Sequence, residues 1–176
     1  MIVTVFDTPD APDSLLTQAH DLCLRAFEGD FDPEDWDHAL GGRHFVVVVE
    51  GGRVISHAAV VERTIWVGDA PYRTGYVEAV ATEPSLQGLG HGTAVMRQAG
   101  EWIRERYELG CLGTGEHRFY ERLGWQRWRG PSAVRLPDGS HVPTPDDDDG
   151  IMVLGTTAAV DVTARIACEP RQGDDW

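Results

Sequence analysis

The sequence predicts an α/β (α+β) protein in which a mixed, mostly antiparallel central sheet is flanked by helices. β-Favouring segments and segments with apolar residues at three-to-four spacing both occur along the chain, so strands and helices are expected together. Three strand-like segments between residues 44 and 82 are joined by tight turns, which is typical of an antiparallel meander. With 176 residues, a single domain over residues 1–176 is predicted.

The first part of the chain predicts one strand and two helices. Residues 2–6 alternate in polarity as a strand does. Ser14 is the expected N-cap of a first helix that runs to about residue 27. Pro33 suits the first position of a second, short helix that Asp32 or a neighbour would cap.

An acidic run separates the first two predicted strands. Residues 28–37 hold six acids and neither lysine nor arginine. Like charges this dense repel one another, so such a run is typical of a solvated loop. A surface that attracts a cationic ligand is the alternative interpretation.

A hairpin and one further strand follow the acidic run. Residues 44–50 and 53–67 are the predicted hairpin strands, and Gly51-Gly52 supplies the positive φ values of a two-residue turn. Gly68-Asp69 then turns the chain into the strand that carries residues 76–82.

Three alternating glycines lie between that strand and the next helix. Gly88, Gly90 and Gly92 form the turn, and apolar residues recur at three-to-four spacing from 95 to 106. A helix start carries unpaired N–H groups and the positive end of the helix dipole. The turn is therefore predicted to hold a phosphate group.

Two common nucleotide-binding patterns do not fit this turn. The Walker loop ends in Gly-Lys-Ser/Thr, and no lysine stands here. The dinucleotide pattern Gly-x-Gly-x-x-Gly would need its third glycine one residue beyond Gly92. The pattern Gln-x-x-Gly-x-Gly does fit, at Gln87, Gly90 and Gly92.

The remaining chain predicts three strands with defined bounds, the start of a fourth and a short helix. The predicted strands are residues 110–114, 151–154 and 164–168. Between the first two lies a short helix with Phe119 and Tyr120 on one face, with Gly124 as its left-handed C-cap and with Trp125 starting a strand. The chain from there to residue 150 is expected to be irregular, because prolines and glycines interrupt it repeatedly.

The glycine turn and the Phe119-Tyr120-x-x-Leu-Gly-Trp125 segment together resemble the GNAT superfamily of N-acetyltransferases. The resemblance implies the GNAT acyl-CoA N-acyltransferase fold and acetyl-CoA as co-substrate. The pyrophosphate would rest on the glycine turn, and the pantetheine arm would pair with the preceding strand. The implied acetyl-CoA-binding residues are Val80, Ala81, Thr82, Gln87, Gly88, Gly90, His91, Gly92 and Thr93.

Composition restricts the partners and the compartment. A net charge of −14 argues against nucleic acid and anionic membrane as partners and favours a cationic ligand, with solubility in a crowded or saline cytoplasm as the alternative reason. No apolar run approaches the roughly 20 residues that span a bilayer. No signal peptide is visible, so a cytoplasmic protein is expected.

The cysteines and the aspartate run do not indicate a metal site. Cys23, Cys111 and Cys168 are widely spaced in apolar contexts, so buried free thiols are expected. A calcium loop that began at Asp146 would need a glutamate at its twelfth position, where Thr157 stands. No metal is therefore expected.

Four local patterns more closely resemble the aminoglycoside 2′-N-acetyltransferases, over nearly the whole chain. They are Gly29-Asp30-Phe31 with Asp35-Trp36 and Leu40-Gly41-Gly42; Gly75-Tyr76-Val77-Glu78; Thr144-Pro145 before the aspartates; and Gly173-Asp174-x-Trp176. The resemblance implies a homodimer and a polycationic amino-sugar substrate, bound by carboxylates that include the one on the terminal tryptophan. The implied substrate-binding residues are Asp30, Asp35, Ala79, Gly113, Asp148, Asp174 and Trp176, with Asp147 or Asp149 in place of Asp148 if the register slips.

The implied reaction is direct attack of an amine on the thioester, without a covalent enzyme intermediate. Glu78 is the candidate base, and because a free glutamate titrates near about 4.3, it is expected to act through water or with a raised pKa. Tyr120 is the candidate acid, expected to give the leaving thiolate a hydrogen bond with partial proton transfer. A water-facing strand carboxylate and a core tyrosine are the alternative interpretations of these two residues.

The sequence leaves the identity of the acceptor open. Gly113-Thr114-Gly115 stands where the aminoglycoside enzymes have serines, so the substrate range is not fixed. A kasugamycin-type aminoglycoside, a polyamine or a protein N-terminus is an alternative acceptor. From another class, a non-catalytic acetyl-CoA-binding module is the alternative, which the presence of both Glu78 and Tyr120 argues against.

Overall fold

The computed structural model describes residues 2–156 and 159–176, so Thr157, on which the calcium argument relied, lies outside them. The chain divides into two compact units, Met1–Val61 with Val77–Glu101 and Glu62–Tyr76 with Trp102–Trp176. A single domain over residues 1–176 stays a prediction.

The described residues form four α-helices and ten strands, which confirms the predicted mixture of helices and a sheet. The helices are α1 Asp13–Ala26, α2 Pro33–Ala39, α3 His91–Arg106 and α4 His117–Glu121. The strands are β1 Val3–Asp7, β2 Arg43–Val49, β3 Arg53–Val67, β4 Ala70–Thr82, β5 Leu109–Gly113, β6 Gln126–Arg127, β7 Ser132–Arg135, β8 His141–Pro143, β9 Ile151–Gly155 and β10 Ile166–Cys168. None of the described helices is both long and apolar enough to cross a membrane.

The first unit contains a four-stranded sheet in the order β1-β2-β3-β4. The pairs β1–β2 and β2–β3 are antiparallel. The apolar stripe of α1 packs on this sheet because its residues recur every three to four positions. The core consists of Ala19, Leu22, Cys23, Phe31, Val46, Val54 and Ala81.

Two local predictions in the first unit need correction. Ser14 is not the N-cap of α1: the cap is Pro12, two residues earlier, whose carbonyl oxygen accepts the Leu15 N–H at 2.8 Å. The β2–β3 turn has three residues rather than two, because Val49 pairs with Arg53 and leaves residue 50 in the turn. Both turn glycines have the predicted positive φ values.

The second unit contains eight strands in the order β6-β9-β5-β4-β3-β10-β7-β8. The pairs β4–β5 and β10–β7 are parallel, whereas β5–β9, β6–β9, β10–β3 and β7–β8 are antiparallel. The register of β4 with β5 joins Thr74, Gly75 and Tyr76 to Leu109, Gly110 and Cys111. The fully buried side chains include Leu109, Leu112, Ile151, Met152, Leu154 and Ile166.

The expectation of an irregular chain after Trp125 is wrong. Residues 132–143 form the β7–β8 hairpin, whose turn is closed by the Leu136 N–H and the Ser140 carbonyl oxygen at 2.8 Å. The glycine and proline residues that interrupt the sequence mark this turn rather than an absence of strands. Gly124 has a φ of 90°, as predicted, but it lies two residues beyond Arg122, the C-cap of α4.

Candidate active site

The candidate base precedes an unusual backbone position in β4. Glu78 is half-buried, and the next residue, Ala79, has a φ of 51°, which residues other than glycine rarely adopt. His57 Nδ1 donates a hydrogen bond to the Ala79 carbonyl oxygen at 2.7 Å, and Cys23 Sγ lies 3.8 Å from the same oxygen. A left-handed residue inside a strand changes the direction of its neighbours, so the conformation of Ala79 sets the direction of the Glu78 side chain.

Hydrogen bonds connect the end of β4 to Ser56 of β3 and to Gln87 before the glycine turn. Ser56 Oγ donates to the Ala81 carbonyl oxygen at 3.2 Å and lies 2.9 Å from Thr82 Oγ1. Gln87 Nε2 donates to the Thr82 carbonyl oxygen at 3.4 Å. The side chain of Gln87 therefore holds the glycine turn against the strand that precedes it.

The glycine turn has the conformation that its sequence predicts. Gly88 and Gly90 have φ values of 76° and 89°, and no atom lies within 4 Å of a Cβ placed on either residue. Gly92 is the second residue of α3, which begins at His91. The first N–H groups of a helix have no intrahelical partner, so those of His91, Gly92 and Thr93 are available to a ligand.

His91 supplies an independent indication of a ligand at this helix start. Its Nδ1 atom is buried and has no hydrogen-bond partner among the described residues. A buried polar atom is seldom left unpaired in a native protein. The turn, the helix start and His91 together fit a group with anionic oxygen atoms, such as a pyrophosphate.

The acidic segment of the first unit contains Asp30 and Asp35. Asp30 is exposed, whereas Asp35 is half-buried on α2. Asp35 Oδ2 accepts the Asp32 N–H at 2.8 Å, and Pro33 follows Asp32 as the first helical residue. The predicted start of this helix is confirmed, and Asp35 also closes its first turn.

Tyr120 lies on α4 in the second unit and is buried. Its ring meets Phe119 and Trp125 edge-on, at centroid distances of 4.9 and 6.2 Å. Burial raises the pKa of Tyr120 above its usual value, while the Thr114 side chain opposes this shift. A tyrosine in this state keeps its proton and acts as a hydrogen-bond donor.

The C-terminal segment is held in place within the second unit. Arg63 Nη2 donates to the Asp175 carbonyl oxygen at 2.8 Å, and Trp176 Nε1 donates to Thr144 Oγ1 at 3.1 Å. A Cβ placed on Gly113 would lie 3.5 Å from the main-chain carbonyl carbon of Trp176 and 3.6 Å from the Tyr76 hydroxyl oxygen. The half-buried Trp176 therefore lies beside the end of β5 rather than in solvent.

The aspartate run has two neighbouring members with different surroundings. Asp148 Oδ1 accepts both the N–H and the hydroxyl of Ser132 at 2.7 Å. The pKa of Asp147 is raised, first by partial burial and then by the negative charges of nearby carboxylates that include Asp174. Asp147 is therefore close enough to Asp174 for the two negative charges to repel each other.

Some of these relations were not visible in the sequence. His57 and Arg63 are separated from their partners Ala79 and Asp175 by 22 and 112 residues, and no local pattern marks either one. The cysteine prediction is confirmed, since all three thiols are buried and none is in a disulfide in the part of the chain that the structure describes. Across those same residues, no group of three or more metal-ligating side chains gathers.

Comparison with known families now places the chain in a class. A family model described as "Acetyltransferase (GNAT) domain" matches residues 10–128. That span covers most of the chain and includes the left-handed residue of β4, the glycine turn and Tyr120. The chain belongs to the GNAT acetyltransferase family.

A curated relative extends this classification. The aminoglycoside 2′-N-acetyltransferase of Mycolicibacterium fortuitum is 41% identical over 175 residues, which cover 96% of this chain and 89% of the relative. This alignment includes nearly all of the present sequence, beyond the span of the family model.

Solved structures agree on the fold. A GNAT family N-acetyltransferase of Escherichia coli, solved with CoA, aligns with a TM-score of 0.66 at 16% identity and covers 96% of this chain and 89% of that one. A probable N-acyltransferase of Enterococcus faecalis aligns with a TM-score of 0.58 at 16% identity over 73% of this chain. The present chain spans 33% of the length of that second protein.

Proposed function

We propose that this protein is an acetyl-CoA-dependent N-acetyltransferase that acetylates the 2′-amino group of aminoglycoside antibiotics and so gives resistance. The 41% identical aminoglycoside 2′-N-acetyltransferase supports this assignment over nearly the full chain. A net charge of −14 suits an enzyme whose substrate is a polycation.

The observation that carries the proposal is the position of Trp176. Its main-chain carboxyl group lies beside Gly113, and the hydrogen bond from Arg63 to the Asp175 carbonyl oxygen holds the preceding residue. Asp147 and Asp174 add negative charge in the same unit. A concentration of carboxylates on an ordered segment is the chemistry that recognises several ammonium groups at once.

On the donor side, residues 80–82 and 87–93 are proposed to bind acetyl-CoA. When bound, acetyl-CoA supplies the activated acetyl group as a thioester. The N–H groups at the start of α3 and His91 Nδ1 would hold its pyrophosphate, since they fit anionic oxygen atoms. The backbone of Val80, Ala81 and Thr82, which continues β4 beyond its register with β5, would pair with the pantetheine arm and polarise the thioester carbonyl.

Glu78 and Tyr120 are proposed as the proton-handling residues. Glu78 would remove a proton from the attacking amine, through water or directly. Tyr120 would donate a hydrogen bond to the leaving sulfur. Because burial raises its pKa above the usual value, transfer of its proton to a thiolate is more uphill than for a free tyrosine, so donation without full transfer is its proposed role.

On the acceptor side, carboxylates would bind the ammonium groups, with Ala79 and Gly113 contributing backbone surface. A charge-assisted hydrogen bond contributes about 1.5–3 kcal/mol. Four such contacts at the upper end of this range total about 12 kcal/mol, which reaches micromolar binding, at about 8 kcal/mol, after an association cost of about 4 kcal/mol. The proposed carboxylates are those of Asp30, Asp35, Asp174 and Trp176, together with Asp147 or Asp148.

The same proposal includes a cytoplasmic homodimer. The homodimer follows from the resemblance to the aminoglycoside enzymes rather than from a described interface. Sedimentation equilibrium of the purified protein measures the assembly: a mass of two chains is expected, and a single-chain mass would contradict it.

The activity is tested by measuring free thiol release from acetyl-CoA with kanamycin B, which carries a 2′-amino group. Kanamycin A, which has a hydroxyl at that position, is the matched control. Turnover with kanamycin B, near-background turnover with kanamycin A, and an NMR spectrum of the product acetylated at the 2′ nitrogen are expected. Equal turnover of both compounds would contradict 2′ selectivity.

Two further acceptors distinguish the alternatives. Preferential turnover of kasugamycin or spermidine over kanamycin B would assign the chain to another amine. Acetyl-CoA binding by calorimetry without turnover of any acceptor would indicate a non-catalytic binding module. Either result would overturn the proposed function.

A further inference from the structure

A line of hydrogen-bonded groups inside the first unit ends at the residue that follows Glu78. Thr8 Oγ1 lies 2.8 Å from His44 Nε2, and His44 Nδ1 lies 2.9 Å from His57 Nε2. His57 Nδ1 then donates to the Ala79 carbonyl oxygen at 2.7 Å. Both histidine side chains are fully buried, so water does not compete for these bonds.

The direction of every bond in this line is fixed. A carbonyl oxygen only accepts, so His57 Nδ1 carries the proton. Burial lowers the pKa of His57 to about 3 and that of His44 to about 4, so each neutral ring has a single N–H. His57 Nε2 therefore accepts from His44 Nδ1, and His44 Nε2 accepts from the Thr8 hydroxyl, whose contact with the Gly42 carbonyl oxygen is longer, at 3.1 Å.

The strained backbone of Ala79 requires a stabilising contact, such as the hydrogen bond from His57. An alanine with a φ of 51° costs about 1–2 kcal/mol relative to an ordinary strand residue. Such a conformation persists only where the surroundings hold it. The His57 bond at 2.7 Å is the strong contact to the Ala79 carbonyl oxygen, whereas the Cys23 thiol at 3.8 Å is a weak donor.

The same histidine pair also supports α2. The Trp36 ring packs against His57 and His44, at centroid distances of 5.6 and 6.2 Å. Trp36 directly follows Asp35, whose carboxylate closes the first turn of α2. Two buried rings thus lie under the helix that carries a proposed substrate carboxylate and hold the strand that carries the proposed base.

The geometry points to His57, oriented by His44 and Thr8, as a positioning residue for acetyl transfer. By holding the Ala79 carbonyl oxygen, it keeps Ala79 left-handed and so sets the direction of the Glu78 side chain and of the Val80–Thr82 backbone. The roles of these two segments rest on the proposed function. The hydrogen bond from His57 to Ala79 does not depend on those roles. The positioning of Ala79 and the proposed function can therefore be tested separately.

Two reciprocal substitutions test this role. Asparagine places an N–H close to the position of Nδ1, so His57→Asn keeps the donor to Ala79 and loses the acceptor for His44. Glutamine reaches the position of Nε2, so His57→Gln keeps the acceptor and loses the donor. We expect kcat with kanamycin B to be about tenfold lower in H57Q than in H57N, equivalent to about 1.4 kcal/mol.

Two readouts separate positioning from loss of stability. Each variant loses one buried hydrogen bond, so similar falls in melting temperature are expected. Amide hydrogen exchange over residues 79–82 should become faster in H57Q and stay near wild type in H57N. Equal kcat losses in the two variants, or unchanged exchange in H57Q, would overturn the inference.

A protein that lacks the proposed activity can be distinguished from one in which His57 does not hold Ala79. If the wild-type protein does not acetylate kanamycin B, the exchange contrast at residues 79–82 still decides whether His57 holds Ala79. If neither His57 variant folds, Thr8→Val and Thr8→Ser at the half-buried end of the line replace them. Faster exchange over residues 79–82 in T8V than in T8S is then expected, and equal exchange would overturn the inference.

Discussion

Adjacent aspartates of one run have different hydrogen-bond partners. Asp148 is bound to Ser132 through two hydrogen bonds of 2.7 Å, and Ser132 is buried. Asp147 instead is hydrogen-bonded to the Thr144 side chain, and its pKa is raised by partial burial and by the nearby negative charges that include Asp174. The sequence resemblance implies Asp148 as the substrate ligand, whereas its two hydrogen bonds with Ser132 favour a structural task, so we propose Asp147 as the substrate ligand.

The first prediction separates these tasks with Asp147→Ala and Asp148→Ala. D147A should raise the KM for the aminoglycoside about tenfold and leave the KM for acetyl-CoA unchanged, since one ammonium contact is lost. D148A should lower the free energy of unfolding by about 1–3 kcal/mol, because the buried Ser132 N–H loses its acceptor. Steady-state kinetics and urea titrations measure both effects, and a larger KM change in D148A than in D147A would return the substrate role to Asp148.

Between β4 and α3, the local sequence predicts the backbone conformation of the glycine turn. Gly88 and Gly90 adopt φ values that other residues adopt with strain, and Gln87 fastens the turn to the end of β4. The hydrogen bond of Gln87 therefore connects the turn to the strand that precedes it. Preorganisation of this kind lowers the ordering cost of holding a pyrophosphate.

The second prediction compares Gly90→Ala with Gly51→Ala. Both glycines have similar positive φ values, 89° and 85°, and neither has an atom within 4 Å of a Cβ position, so similar losses of stability of about 1 kcal/mol are expected. Only G90A should weaken CoA binding, by about tenfold, because the proposed pyrophosphate contacts lie beside it. Calorimetric titration with CoA checks this, and equal affinities in the two variants would remove the turn from the donor site.

The third prediction concerns the C-terminal segment, which Arg63 holds from β3. Arg63→Met removes the donor to the carbonyl oxygens of Asp175 and Glu169, so the segment is expected to loosen. The KM for the aminoglycoside should rise about tenfold with an unchanged KM for acetyl-CoA, since the Trp176 carboxyl group loses its fixed position.

Arg165→Met is the matched control for Arg63→Met. Arg165 pairs with the exposed Asp69 and bonds the Gly68 carbonyl oxygen, so its loss alters a surface ion pair of about 0–1 kcal/mol. Unchanged kinetics are expected in R165M. Equal KM effects in the two arginine variants would show that loss of positive charge, rather than release of the segment, is responsible.

For the whole molecule, the buried histidine pair makes folding stability dependent on pH. Burial lowers the pKa of both His44 and His57 below the ordinary value of about 6.5. Between about pH 6.5 and the lowered values, the unfolded chain therefore binds more protons than the folded chain. The free energy of unfolding must then fall as the pH falls through this window.

The fourth prediction is the magnitude of this pH dependence of the unfolding free energy. From pH 7 to pH 5, each buried histidine should remove about 2 kcal/mol of unfolding free energy. His57→Asn should remove the contribution of His57. About half of the wild-type slope of unfolding free energy against pH should then remain. Urea titrations of both proteins at pH 7, 6 and 5 measure the slopes, and identical slopes would mean that His57 is not kept neutral by burial.

The amino-acid sequence by itself determined the features that depend on neighbouring residues. The glycine turn follows from glycines that tolerate positive φ, and α1 and α3 follow from apolar residues at helical spacing. The family assignment follows from motifs of the same short range, and both the family model and the 41% identical relative agree with it. Even here, the predicted cap of α1 at Ser14 and the predicted irregular chain over the β7–β8 hairpin are wrong, because several local conformations suit the same turn residues.

Only the tertiary structure decided which polar groups meet. His57 reaches the Ala79 carbonyl oxygen across the sheet, and Arg63 reaches Asp175 across more than a hundred residues. The choice between Asp147 and Asp148 likewise depends on Ser132 and Asp174, which are distant in sequence. The physical reason is that a buried hydrogen bond or a carboxylate cluster is set by the packing of whole elements, whereas periodicity and turn propensity describe only the chain on either side of a residue.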